Sequence, residues 1–277
     1  MSKRGSRELY GLEKVWFDAK ALLRGGMAST IVVEDGAYRT AFVCENRLQA
    51  HRAMSLWVKE AGTMAWISEQ VRPGDVFLDI GANVGIYTLA AAHRAGVSGR
   101  VYAIEPHKPN AVSLMRNVIQ NGFGDRVTVL AIPVADRRMV AMFQYRQMEA
   151  ASTGSQLNST SVNGKEFRPK ASELCIGLPV DELVASEAIR APNIVKIDVD
   201  GIELDILKGM RELLASQNRP RSIQVELNVG EHEAIVDHMT SSGYRLESRH
   251  FTLDGKRQLG EGRSLAQIAH NAIFMPA

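Results

Sequence analysis

The chain has 277 residues, is 45% hydrophobic and 23% charged, and carries a formal net charge of +2. That supplies core for one large α/β domain with additions, or for two small domains, and the near-neutral charge gives no electrostatic case for a nucleic-acid partner. No apolar run is long enough for a transmembrane helix, and the two cysteines, Cys44 and Cys175, form neither a C-x-x-C pair nor a disulfide framework, so a reducing, cytoplasmic setting is expected.

The N-terminus is basic at Lys3, Arg4 and Arg7 but lacks the apolar stretch and cleavage site of a signal peptide. Leu9, Leu12, Val15, Trp16, Ala19, Leu22 and Leu23 follow helical spacing. Acidic Glu8, Glu13 and Asp18 interrupt the polar face, which favours a packing helix over one lying on a membrane surface. Ser29–Val33 and Tyr38–Cys44 flank an Asp35-Gly36 turn and predict a hairpin. A helix is predicted over Leu48–Gln70, with Trp57, Ala61, Met64, Ala65 and Ile67 as its buried stripe and Pro73-Gly74 as its stop. Residues 1–74 therefore read as an N-terminal helical and hairpin extension, and 75–277 as the main domain.

From Asp75 strands and helices alternate. Val76–Ile80, Arg100–Ile104 and Arg126–Pro133 read as strands, with helices over Val84–Arg94 and Pro109–Asn121. This rhythm predicts a parallel sheet covered on both faces, with right-handed crossovers. Residues 151–170 break it: they are polar and aperiodic, and read as either a functional lid or a disordered insertion. The rhythm resumes with strands at Asn193–Ile197 and Ser222–Leu227 and helices at Gly201–Gln217 and Glu231–Ser242. Tyr244–Leu253 and Ala269–Met275 are expected as an antiparallel pair at one side.

The loop after the first of these strands is the most informative segment: Asp79, Ile80, Gly81, Ala82, Asn83, Val84, Gly85, Ile86, Tyr87. In a doubly wound sheet, ligands bind at the carboxyl ends of strands. Gly81 would let backbone approach a ligand, and Gly85 would let the helix start pack closely. A dinucleotide site wants G-x-G-x-x-G, but the matching positions are Gly81, Asn83 and Ile86. Asp79 would repel a pyrophosphate and suit a cation, and S-adenosylmethionine carries both an ammonium and a sulfonium. The second strand ends at Glu105-Pro106, where a carboxylate can accept both hydroxyls of a ribose. A solvated loop residue is the plain alternative for Glu105 alone; its combination with Asp79 and the glycine loop points to a nucleoside site.

On these segments the chain resembles the FkbM-type family of class I S-adenosylmethionine-dependent methyltransferases. The resemblance is carried by Asp75-Val-Phe-Leu-Asp-Ile-Gly-Ala-Asn-Val-Gly-Ile-Tyr-Thr, Tyr102-Ala-Ile-Glu-Pro, Leu178-Pro-Val-Asp-Glu-Leu, Val195-Lys-Ile-Asp-Val-Asp-Gly-Ile-Glu-Leu-Asp-Ile-Leu-Lys-Gly and Asn271-Ala-Ile-Phe. It implies a Rossmann-like, doubly wound, seven-stranded sheet, mostly parallel with one antiparallel strand. It also implies S-adenosylmethionine as methyl donor and O-methylation of a small molecule, sugar or lipid, with nitrogen as the alternative acceptor atom. Asp200 departs from the family, which more often has glutamate there. Residues 1–50 and 151–170 lie outside the resemblance.

Methyl transfer requires alignment of donor and acceptor, and a hydroxyl acceptor must also lose its proton. Asp198, at the end of the fourth strand, is the candidate general base or acceptor-orienting group, with a structural role as the alternative. Glu226, ending the next strand, could face the same cleft. Asp200 and Glu203 stand at a helix entrance, where the dipole favours acids. Lys196 needs a charge partner within its apolar strand, and Asp79 is the expected one. The spacing of Asp198, Glu203 and Glu226 carries no metal signature, and no metal is expected. His107 and His250 are weaker base candidates. The adenine edge is expected at Ile132–Asp136, with Val134 and Asp136 toward the cofactor; Asp136 could accept the exocyclic amine or simply start a turn. The expected cofactor set is thus Asp79, Gly81, Ala82, Asn83, Gly85, Glu105, Pro106, Val134 and Asp136. Acceptor specificity is expected from residues 1–74 and 151–170. The competing classes are a nicotinamide-dependent oxidoreductase on a similar sheet and a non-catalytic nucleoside-binding scaffold.

Overall fold

The computed structural model of the chain describes residues 12–25, 29–35, 38–55, 60–162 and 164–277. Helix α1 (Leu12–Gly25) lies against α2 (Arg47–Met54), where Asp18 meets His51 at 3.5 Å. The stripe expected to face a core does not: Val15, Trp16, Leu22 and Leu23 are each more than half exposed. Strands β1 (Ser29–Asp35) and β2 (Tyr38–Cys44) pair antiparallel; the glycine of the expected turn lies outside the described residues. The single helix expected over Leu48–Gln70 is two helices, α2 and α3 (Ala61–Gln70). Asn46 and Gln49 form a capping box that starts α2, and Ser55 ends it by turning its hydroxyl back onto Arg52 O. Leu9 and Trp57, read as helix-face residues, lie outside the described residues.

The main sheet begins at β3 (Val76–Ile80), followed by α4 (Ile86–Ala95), β4 (Arg100–Ile104), α5 (Lys108–Gln120) and β5 (Val127–Leu130). A side structure follows: β6 (Met139–Tyr145), the short β7 (Gln156–Leu157), β8 (Ser161–Val162), β9 (Lys165–Glu166), and then β10 (Ala171–Gly177). The chain then returns through α6 (Val180–Ala185), β11 (Ile194–Ile197), α7 (Glu203–Lys208), α8 (Arg211–Ala215), β12 (Ser222–Leu227), α9 (His232–Ser241), β13 (Tyr244–His250), α10 (Leu253–Gly260) and β14 (His270–Pro276).

Seven strands form one sheet in the order β13-β14-β12-β11-β3-β4-β5. β12, β11, β3, β4 and β5 run parallel, while β14 is antiparallel to both of its neighbours. This is the α/β, mostly parallel architecture expected from the sequence. Every residue of β3 and β11 is buried, as both faces of a parallel sheet are covered by helices. One face packs on α4, α5 and the N-terminal segment: Ile31, Phe42, Trp66 and Ile67 share a core with Phe77 and Leu89. On the other face Leu78, Ile80, Ile197 and Val225 meet Ile206, Leu214 and Ile235. The N-terminal segment is thus stitched into the sheet domain. Trp66 donates through Nε1 to Ser222 Oγ at 2.9 Å, and its ring stands 6.0 Å from that of Phe77.

Three elements depart from the sequence reading. β6 and β10 form an antiparallel ladder, joined by β7, that the reading does not contain. The helix expected over Gly201–Gln217 is broken into α7 and α8 where Gly209 presses on the chain before β6: a Cβ there would lie 2.2 Å from Ala135 O. The strand expected over Tyr244–Leu253 stops at His250, because the Thr252 hydroxyl caps α10 by accepting from Gly255 N. No helix among the described residues is long and apolar enough to cross a membrane.

Candidate active site

At the carboxyl ends of β3, β4, β11 and β12 lies a cavity of about 290 Å³. Its floor is the Gly81 loop. Gly81 has φ +79, and a Cβ on it would lie 1.9 Å from Asp198 O. The glycine therefore serves contact between two strand ends, where the sequence suggested room for a ligand. Gly85, at φ +90, is also excluded from carrying a side chain, since a Cβ would lie 2.2 Å from Leu114 Cδ1; it seats α4 on α5 and does not line the cavity.

Glu105 projects from the end of β4 into the cavity wall. Its Oε2 accepts from Asn83 N at 2.7 Å and its Oε1 from His107 N at 2.9 Å. Burial raises its pKa to about 7, against the lowering effect of those two N–H groups. Pro106 and Val134 continue the same wall. His107 is not free to act as a base: Nε2 lies 2.7 Å from Gln147 O and Nδ1 accepts from Asn110 N. Burial also lowers its pKa.

The first half of the 151–170 segment roofs the cavity, with residues 152–157 lining it. It is pinned from three directions. Asn110 Oδ1 accepts from Ala151 N, while the Asn110 and Asn83 amides both donate to Ser152 O. Gly154 N donates to Asp200 Oδ2 at 2.6 Å, and Gln156 Nε2 to Asp200 O at 2.5 Å. Asp200 thus ties β11's end to the roof.

Asp198 and Glu226 stand together on the opposite side, with Glu60 and Tyr87. Lys196 Nζ lies 3.1 Å from Asp198 Oδ2 and 3.6 Å from Asp79 Oδ1, and 4.9 Å above the Tyr87 ring. Burial opposes the Lys196 charge, but Asp198 and Asp79 together outweigh it and hold the pKa above the usual lysine range. Burial raises the Asp79 carboxyl, while Lys196 and the Thr88 hydroxyl, bonded at 2.6 Å, act in the other direction. The expected Asp79–Lys196 contact is present. It also removes Asp79 from the cavity: Asp79 is fully buried below the floor and its charge faces Lys196. Burial, then the charges of Asp198 and Glu203, push Glu226 well above the usual carboxylate range.

Of the residues anticipated from sequence, the cavity brings together Gly81, Ala82, Asn83, Glu105, Pro106, Val134, Asp198 and Glu226. Asp136 lies outside, paired with Arg137 at 2.5 Å. Glu203 is buried beneath, accepting from Val199 N and Asn228 Nδ2, and burial raises its pKa to about 8. His250 lies against Gly62, away from the cavity. Residues that the sequence did not single out are Arg52, Ser55 and Glu60, from the N-terminal segment, and Tyr87. Tyr87 is the second residue of the helix that follows the glycine loop, a position where inspection of the motif could have found it. Among the described residues, no group of three or more His, Cys, Asp or Glu side chains is arranged to hold a metal ion.

The model of the methyltransferase FkbM domain matches residues 79–246. The hexuronic acid methyltransferase AglP of Haloferax volcanii is 27% identical over 214 residues, covering 76% of this chain and 79% of the relative. The 31-O-demethyl-FK506 methyltransferase FkbM of Streptomyces tacrolimicus is 26% identical over 178 residues, covering 57% and 67%. Among solved structures, methyltransferase FkbM from Methylobacillus flagellatus KT aligns at a TM-score of 0.48 and 13% identity, over 95% of this chain and 58% of the other. With the family model spanning more than half its length, the chain belongs to the FkbM methyltransferase family.

Proposed function

We propose that this methyltransferase uses S-adenosylmethionine to methylate a hydroxyl oxygen of a small-molecule, sugar or lipid acceptor. The observation that carries this reading is the position of Glu105: a carboxylate at a strand end, steadied by two backbone N–H groups, on the wall of a cavity that the glycine loop floors. The donor set fits the cofactor. Glu105 offers acceptor oxygens for a ribose, Val134 offers an apolar edge for a base, and Glu60, Asp198 and Asp200 favour a cationic sulfonium and ammonium. The same acidic lining disfavours a polyphosphate, which supports a small acceptor over a nucleic acid. When bound, S-adenosylmethionine supplies a methyl group already activated by positive sulfur.

The chain's own residues then have three tasks. The roof of residues 152–157 excludes water and confines the acceptor. Asp198, steadied by Lys196 beneath it, receives the hydroxyl proton as oxygen attacks. Glu226, held neutral by burial and neighbouring carboxylates, donates a hydrogen bond that orients the acceptor. The names of these two relatives, a hexuronic acid methyltransferase and a 31-O-demethyl-FK506 methyltransferase, support oxygen as the acceptor atom. A cytoplasmic setting belongs to this reading, supported by two cysteines that are both free.

Calorimetry with S-adenosylmethionine, S-adenosylhomocysteine and NAD tests the donor, and transfer of radiolabelled methyl to a panel of sugars, lipids and polyketides tests the acceptor. Binding of both methionine derivatives without NAD is expected. Tight NAD binding with no response to the other two rejects the reading.

A further inference from the structure

The charges lining the cavity are lopsided. Glu60, Glu105, Asp198, Asp200 and Glu226 are carboxylates, and the one guanidinium among the described lining residues belongs to Arg52. Of the cations nearby, Lys196 is wholly buried under the floor and already paired, and Arg146 packs against Gly154 of the roof without lining the cavity. Arg52 stands in the last turn of α2 and donates through Nε to Ala151 O at 2.9 Å. Among the described residues that is its one hydrogen bond, and it forms an ion pair with none of them. A guanidinium has five N–H donors in a fixed fork. One bond from Nε sets the plane of that fork and leaves its two Nη groups on the cavity wall without a partner among the described residues. Arg52 is also within Coulomb reach of both sides of the cavity. Burial dominates the pKa of Glu105 and of Asp200, and Arg52 opposes it at each.

An arginine fork pairs best with a planar anion that presents two oxygens. The cavity's own carboxylates do not occupy it. We propose that Arg52 is the seat of a ligand carboxylate, gripped through its Nη groups. Two sources present that chemistry in the proposed reaction: the amino-acid tail of the methyl donor, and the carboxylate of a uronic-acid acceptor. The inference rests on the S-adenosylmethionine reading of the cavity and specifies what stands at its N-terminal wall.

The test compares wild type with Arg52→Met and Arg52→Lys by calorimetry. Three probes are used: S-adenosylhomocysteine, 5′-methylthioadenosine (the same nucleoside thioether without the amino-acid tail), and glucuronate added to the S-adenosylhomocysteine complex. If the seat takes the donor's tail, Arg52→Met weakens S-adenosylhomocysteine at least tenfold and leaves methylthioadenosine unchanged. If it takes the acceptor, both nucleosides bind as before and glucuronate binding is lost. Arg52→Lys keeps the charge without the fork, recovers part of either loss, and carries the test if the methionine variant does not fold. Equal weakening of both nucleosides would assign Arg52 only to holding the roof at Ala151 and overturn the proposal. So would unchanged S-adenosylhomocysteine affinity with glucuronate binding unchanged, or absent from the wild type. Failure of the wild type to bind either nucleoside would sink the cofactor reading itself, and this inference with it.

Discussion

Lys196 and Asp79 face each other across adjacent parallel strands, in register, with no part of either side chain exposed. Isolated charges at such depth would be too costly to keep; each is tolerated because the other is there. Lys196→Met is therefore expected to destabilise the fold by about 3–5 kcal/mol, because it strands a buried carboxylate. Adding Asp79→Asn should restore a large part of that loss. Urea unfolding of the two single variants and the double variant measures the coupling, and simple additivity would refute it.

Glu105 should make donor binding depend on pH. Its pKa of about 7 in the fold, above the usual carboxylate range, means that it holds its proton more tightly than a free glutamate does. It is an ionised acceptor above about pH 7 and a neutral acid below. Affinity for S-adenosylhomocysteine should fall as pH drops through that value. Glu105→Gln should weaken binding by about 1.5–3 kcal/mol, the range for hydrogen bonds to a charged group, and flatten the pH profile. A variant that binds weakly but keeps the wild-type profile would move the titrating group elsewhere.

The roles given to the two carboxyls on the opposite wall predict unequal effects. Asp198→Asn removes a proton acceptor and should lower kcat by about 10²–10⁴-fold, with donor affinity changed only a few-fold. Glu226→Gln keeps the shape and donor capacity of a neutral acid, so kcat should fall less than about tenfold, with the larger change in acceptor KM. Steady-state kinetics on both variants, with a methylated acceptor in hand, decides this. The reverse pattern would exchange the two assignments.

Much of the fold was legible because its strands are buried on both faces. Val76–Ile80 is a short apolar run bounded by turn residues, and its observed bounds, like those of Arg100–Ile104 and Ser222–Leu227, match the reading residue for residue. β6 and β10 escaped because each has one face in solvent. Val140, Met142, Leu174 and Ile176 are exposed, which blurs the alternation a half-buried strand should display. At the site, a glycine loop and a strand-end acid are local patterns and could be found one residue at a time. Asp79 was half legible: its contact with Lys196 was expected, but not that this contact would bury it below the floor and take it out of the cavity. Arg52 and Glu60 carry no local motif at all. They reach the cavity because α2, which carries Arg52, and α3, which Glu60 precedes, pack into the core of the sheet domain, a tertiary fact that no spacing rule encodes.

The indole hydrogen bond from Trp66 to Ser222 bears on how this chain can be taken apart. The family model's match begins at residue 79, yet a protein trimmed just ahead of β3 would bare the Phe77 face of its central sheet and leave a strand hydroxyl without its donor. Exchanging front segments between relatives to retarget their substrates would meet the same obstacle. A foreign segment would have to bring its own plug for that surface, so the front segment and the solidity of the fold are inherited together.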